Sequence, residues 1–196
     1  MVAPRQKLTP AEYLAWERDQ PTKHEYFHGE VFAMAGGSAR HNLLRTNLIA
    51  ILRERTSSRG CYVLTSDQRV RLDAGKRYLY PDITVVCGAP SIETADVLVN
   101  PTVVVEVLSL STEQNDRGSK WQSYQQLESL TDYILVPQWH ARIEHFRRDD
   151  RGGWSYRAAN AGDRITLADG TELAVDDVFA RALDLPGDEP PPLDPK

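Results

Sequence analysis

The chain has 196 residues, 41% hydrophobic and 26% charged, which suits one globular domain with a buried core. Its formal net charge of −5 argues against holding nucleic acid by bulk positive charge, but leaves a nuclease open, because metal-binding carboxylates lower the net charge. No segment reaches the roughly 20 apolar residues of a membrane span, and residues 1–20 lack the apolar run of a signal peptide, so a cytoplasmic location is expected.

In chain order, residues 8–20 read as a short helix with Thr9 as N-cap and Pro10 at its first position. Two short strand-like pieces follow around Gly29. Residues 38–55 read as a helix, with Leu43, Leu44, Leu48, Ile51 and Leu52 at helical spacing. Three strands are then expected, at 61–72, 78–88 and 101–110. The last, PTVVVEVLSL, is a near-continuous apolar run, as in a strand covered on both faces. Residues 116–130 read as a helix and 131–137 as another buried strand. A hairpin turns at Asp149–Gly153, and residues 163–184 hold a further strand or two and a short helix. The order predicts an α/β fold, one domain over 1–184, with a Pro- and acid-rich tail over 185–196 expected to be disordered. Cys61 and Cys87 lie in strand-like stretches, lack zinc-ligand spacing and are expected to be buried reduced thiols.

Three residues break local expectation. Glu106 is a carboxylate inside an apolar strand, and burying an unpaired charge costs several kcal/mol, so it needs a metal or a cation as partner. Asp82 opens the apolar run ITVV directly after Pro81. Carboxylates on neighbouring strands can converge on a hard cation such as Mg²⁺ or Mn²⁺, and the backbone carbonyl of Val107 could add a third oxygen. Lys120 is one of only five lysines against 18 arginines. It shares a helix face with Asp116 and Tyr124, and a lysine beside a metal site can act on a phosphate or a water. Each has a structural alternative: Asp82 as a turn or capping residue, Lys120 as a solvated helix residue, Glu106 as an ion-pair partner of an arginine. Taken together and in this order they favour a catalytic set.

The stretches YPDITVVCG, NPTVVVEVLSLST, DRGSKWQSY and LTDYILV, with HEYFHGEVFAMAGGSARHNLL before them and RIEHFRRD after, resemble the Uma-type restriction endonuclease family of the PD-(D/E)XK nuclease superfamily. The resemblance covers roughly residues 8–180 and implies a restriction-endonuclease-like fold, a central mixed β-sheet flanked by α-helices. It places the metal-binding carboxylates at Asp82 and Glu106. The superfamily lysine would stand two residues after Glu106, where this chain has Leu108; in Uma-type proteins it moves to the following helix, at Lys120. Glu25 is a candidate further acid of the site, and His41 could contact a phosphate or a water. Asp67 and Ser109 are weaker candidates for supporting contacts, and Arg142, Arg147 and Arg148 for contacts to a backbone phosphate.

These readings imply a Mg²⁺-dependent endonuclease acting on DNA, and a homodimer is expected, since each chain carries one site and a duplex has two strands. The competing reading is a catalytically silent nucleic-acid- or protein-binding module on the same fold. A Ser or Cys hydrolase is disfavoured, because no G-x-S-x-G elbow is present.

Overall fold

The computed structural model describes residues 7–190. Helix α1 (Pro10–Glu17) starts in a capping box: Thr9 accepts from the Glu12 backbone while the Glu12 side chain closes back on the cap. The hairpin β1 (His24–Phe27) and β2 (Glu30–Ala33) follows, then helix α2 (Ala39–Thr56), capped by Ser38.

The two stretches expected as single strands at 61–72 and 78–88 are each divided. The first gives β3 (Cys61–Thr65) and β4 (Arg69–Leu72), the second β5 (Arg77–Leu79) and β6 (Ile83–Cys87). A turn in which Gln68 N–H donates to Thr65 O breaks the first, and Pro81, which has no N–H for a ladder, breaks the second. The short strands β7 (Ile92–Glu93) and β8 (Val97–Leu98) precede the buried β9 (Val103–Leu108). The next helical segment is shorter than 116–130: α3 (Glu113–Asn115), a π-turn over Asp116–Lys120, and α4 (Trp121–Tyr124). Then come β10 (Asp132–Pro137), the hairpin β11 (Arg142–Arg148) and β12 (Trp154–Asn160), the pair β13 (Arg164–Thr166) and β14 (Glu172–Ala174), and α5 (Val175–Val178).

The broken strands are shared between two mixed sheets, ordered β2-β1-β5-β4-β8-β7 and β12-β11-β10-β9-β6-β3. The second sheet forms the middle layer. Helix α2 packs Leu44, Leu48 and Leu52 on the face carrying Ile83, Val85, Val103, Val105, Val107, Ile134 and Val136. The opposite face, with Val86, Val104, Leu108 and Leu135, packs against Val70, Leu72 and Leu79 of the first sheet and against Tyr124 of α4. Strand alternation therefore turns Glu106 away from α2 and toward the first sheet and the helical segment.

Cys61 and Cys87 stand opposite each other on β3 and β6 and are joined as a disulfide. This corrects the expectation of two reduced thiols: the sequence separates them, and the antiparallel register brings them together. The stretch from 185 onward is also in contact rather than free as far as Glu189. Arg40 donates to Leu185 O and to Glu189, Leu110 N–H donates to the Asp188 carboxylate, and Asp188 N–H donates to Gln138 Oε1. The remainder of the expected tail, 191–196, lies outside the described residues. No helix among the described residues is long and apolar enough to cross a membrane.

Candidate functional site

β6 and β9 are antiparallel with Ile83 opposite Val105, and continuing that register by one residue sets Asp82 opposite Glu106. The two acids lock each other in place. Asp82 N–H donates to Glu106 Oε2 at 3.3 Å, and Val107 N–H donates to Asp82 Oδ2 at 2.8 Å. The pair lies in a cleft of about 780 Å³ shared with Glu25, His41, Arg45, Val107, Ser109 and Lys120.

Two basic side chains from α2 reach Asp82. His41 Nε2 is 3.2 Å from Oδ2 and Arg45 Nε is 3.4 Å from Oδ1. They are four residues apart and so share one helix face. His41 is held at the first turn by the Ser38 cap, which accepts its N–H at 3.1 Å. Gly37 makes room for the ring, since a Cβ there would sit 2.6 Å from His41 Nδ1. Burial pushes the Asp82 carboxyl up, but the His41 hydrogen bond and charge, with Arg45 and the Val107 amide, outweigh it and hold Asp82 below the usual carboxylate value.

Glu106 has the opposite environment. Burial, with Asp116, Asp82 and Glu25 adding to it, drives its carboxyl well above the usual value, and the charge of Lys120 offsets this only in part. Two acids side by side, one biased toward the ionised form and the other toward the protonated form, are a common arrangement in catalytic sites. Tyr124 O–H donates to Glu106 Oε1 at 3.2 Å.

Lys120 is buried, with 5% of its surface exposed, which sets aside the alternative of a solvated helix residue. Its Nζ lies 3.0 Å from Asp116, 3.1 Å from Glu25 and 3.4 Å from Glu106. Burial favours the neutral amine, yet the three carboxylates reverse this and hold the ammonium well above its usual pKa. The oxygens it approaches on Glu25 and Asp116, Oε1 and Oδ1, are themselves buried and face the ammonium.

Sequence reasoning did not assign a role to Arg45, Asp116 or Tyr124. The i, i+4 spacing of His41 and Arg45 was the available signal for the first, and the shared face with Lys120 for the other two. Among the weaker candidates, Ser109 lines the cleft. Asp67 instead pairs with Lys23 on the surface. The hairpin arginines are engaged elsewhere: Arg148 donates to Gln125 O and Leu127 O, Arg147 to Thr166 O, and Arg142 lies against Glu144.

A divalent cation fits this donor set. It offers the Asp82 and Glu106 carboxylates, both accepting from backbone amides, in an oxygen-rich cleft, which suits a hard ion that binds through one or two carboxylates plus water and substrate. Among the described residues, the one group of three possible ligands within 4.8 Å of one another is Cys61, Cys87 and Asp169; its two sulfurs are bonded to each other, so it makes a poor metal site.

A mixed α/β fold with this topology recurs in a solved structure. The crystal structure of a putative nuclease belonging to DUF820 from Anabaena variabilis superposes with a TM-score of 0.73, covering 90% of this chain and 99% of that one at 13% identity. Two curated relatives come from Synechocystis. The uncharacterized protein slr1290 is 36% identical over 178 residues, 90% of this chain and 94% of the relative. The uncharacterized protein sll1609 is 33% identical over 156 residues, 79% and 88% of the two chains. The sequence model of the Uma2 family, described as "Putative restriction endonuclease", matches residues 10–185. The chain belongs to the Uma2 family.

Proposed function

We propose that the chain is a metal-dependent endonuclease that hydrolyses phosphodiester bonds of DNA. The observation that carries this reading is the pairing of Asp82 with Glu106 at the floor of the cleft, with Lys120 on Glu106. Asp82 and Glu106, with the Val107 carbonyl, would hold a Mg²⁺ or Mn²⁺ ion. Such an ion, when bound, supplies a water of lowered pKa and neutralises charge on the phosphate.

The protein's own groups do the rest. His41 and Arg45 keep Asp82 ionised and so ready to bind a cation. Burial biases Glu106 toward its protonated form, and a bound cation would favour the ionised one. Lys120, fixed by three acids, carries a positive charge that can stabilise the extra negative charge on the phosphate in the transition state. One site per chain would suit a homodimer wherever two strands are to be cut.

The test is cleavage of DNA by purified protein in Mg²⁺ or Mn²⁺. Activity that EDTA removes and that Asp82→Ala lacks, with the variant still folded, supports the reading. The second reading, a silent binding module, draws on Leu108, which fills the strand position of the superfamily lysine and is fully buried in apolar contacts. Divalent-metal binding without turnover on any nucleic acid would favour it.

A further inference from the structure

A second, smaller hollow adjoins the cleft. The register of the first sheet sets Phe32 opposite Glu25 and Arg77 opposite Phe27. Residues directly opposite on antiparallel strands project from the same face, as do residues two apart on one strand. Glu25, Phe27, Phe32 and Arg77 therefore share one face. Together with Leu79 and Ser119 they line a hollow of about 280 Å³. Glu25 and Phe32 border both this hollow and the cleft, and Glu25 is 3.1 Å from Lys120. A group in the hollow would thus lie next to whatever Lys120 addresses.

The lining suits a flat, partly polar ring. Phe32 is 50% exposed, although it is a large apolar side chain beside a polar cleft. Phe27 is covered by the Arg77 guanidinium, 4.4 Å from its ring centroid. Arg77 is buried and gives its terminal nitrogens to Ser119 and Ser123, but its Nε is buried without a partner. An exposed aromatic face on Phe32 and the apolar wall of Leu79, beside the polar Glu25 and Ser119, match a nucleobase, which has π-faces and polar edges. The volume falls just short of the range for whole drug-sized ligands.

We infer that this hollow receives one unstacked nucleobase next to the phosphate in the cleft, with Phe32 as its stacking surface. A base paired and stacked within a duplex cannot enter such a pocket. The favoured substrate is therefore single-stranded, or carries an unpaired or flipped base at the cut. The inference rests on the nuclease reading of the cleft and specifies the form of nucleic acid it acts on.

The test is a two-by-two binding comparison in Ca²⁺, scored by fluorescence anisotropy. One axis is wild type against Phe32→Ala. The other is a short thymidine oligonucleotide against an abasic strand of the same length and charge. The expected result is that Phe32→Ala weakens binding of the thymidine strand by about fivefold to a hundredfold, the range of a base–aromatic stack, and leaves the abasic strand unchanged. Phe32→Trp restores the affinity. Phe32 is half exposed on a hairpin, so both variants should fold, and circular dichroism checks that they do. Equal affinity of wild type and Phe32→Ala for the thymidine strand overturns the inference, as do an equal loss on both strands or no binding of either. Wild-type cleavage assayed in Mg²⁺ separates the two proposals: the coupling seen without cleavage keeps the base pocket and removes the nuclease reading.

Discussion

Lys120 Nζ lies 3.4 Å from Glu106 Oε1, so a helix supplies the cation to a strand carboxylate whose own strand carries Leu108 two residues on. Leu108 and Glu106 project from the same face by alternation, and Leu108 is fully buried beside Tyr124 and Tyr133. Lys120 is also the cation nearest three buried or half-buried acids. Lys120→Ala should therefore cost about 3–5 kcal/mol, the usual penalty for leaving buried charges without a partner, and should also lower turnover. Leu108→Lys in that background should return part of the lost turnover if its ammonium reaches the same point, while adding no stability, because Leu108 is buried among apolar groups. Denaturant midpoints measure the stability effects and a cleavage assay the turnover. A midpoint for Lys120→Ala equal to wild type would show that the acids do not depend on this lysine.

Glu106→Gln should abolish cleavage while leaving the metal-free protein as stable as wild type or more so. Glutamine keeps the shape and removes an acid that burial disfavours in its charged form, and Lys120 retains Glu25 and Asp116. The sign of the pH dependence follows from the raised carboxyl of Glu106. The folded chain holds a proton there that the unfolded chain releases near its ordinary value of 4.5. Stability of the metal-free wild type should thus fall as pH rises from that value through the higher folded-state value. Glutamine carries no such proton, so the variant's melting temperature should fall less over the same window. A large loss of stability in Glu106→Gln would mark Glu106 as a structural ion-pair partner.

The site's sequence signals were unequally informative. The run from Val103 to Leu108 has all six residues buried, so its single charge stood out as an anomaly that needed a partner. Asp82 was legible from Pro81 and the apolar run after it. The burial of Lys120 was not, because it depends on Glu25 arriving from a hairpin almost a hundred residues earlier, and helical spacing reports only local neighbours. The division of 61–72 between two sheets was hidden for a related reason. Both halves look like strands, and only the turn at Ser66–Gln68 reverses the chain. The pairing of Cys61 with Cys87 is a register relationship, set by the antiparallel packing of β3 on β6 and invisible to spacing rules.

His41→Ala should let the Asp82 carboxyl titrate at higher pH. Burial pushes that group up, and the hydrogen bond and charge of His41 are the largest influences holding it down. Gly37→Ala should act in the same direction without touching either residue, since the new Cβ would meet the His41 ring at 2.6 Å from Nδ1. Carbon-13 NMR titration of the Asp82 carboxyl reads this directly. An unchanged titration in His41→Ala would show that Arg45 and the Val107 amide suffice to keep Asp82 ionised.

The last prediction concerns the cross-strand link between Cys61 and Cys87. β3 is the edge strand of its sheet and pairs only with β6, the strand that Asp82 precedes. The bond closes a loop with a sequence separation of 26, for which chain entropy gives a stabilisation of about 3 kcal/mol. Purified protein unfolded in denaturant without reductant should therefore show no reactive thiol, and two after reduction. The double variant Cys61→Ser/Cys87→Ser should lose about 3 kcal/mol relative to the oxidised wild type, and wild type in reductant should fall to about the same stability. Because β6 also pairs with β9 next to Asp82 and Glu106, the loss should be seen in global unfolding rather than in the Asp82–Glu106 pair. Metal affinity of the folded double variant should match wild type. Two thiols reacting in the unreduced, unfolded chain would overturn the disulfide, and the pair would then be two half-buried thiols in contact across neighbouring strands.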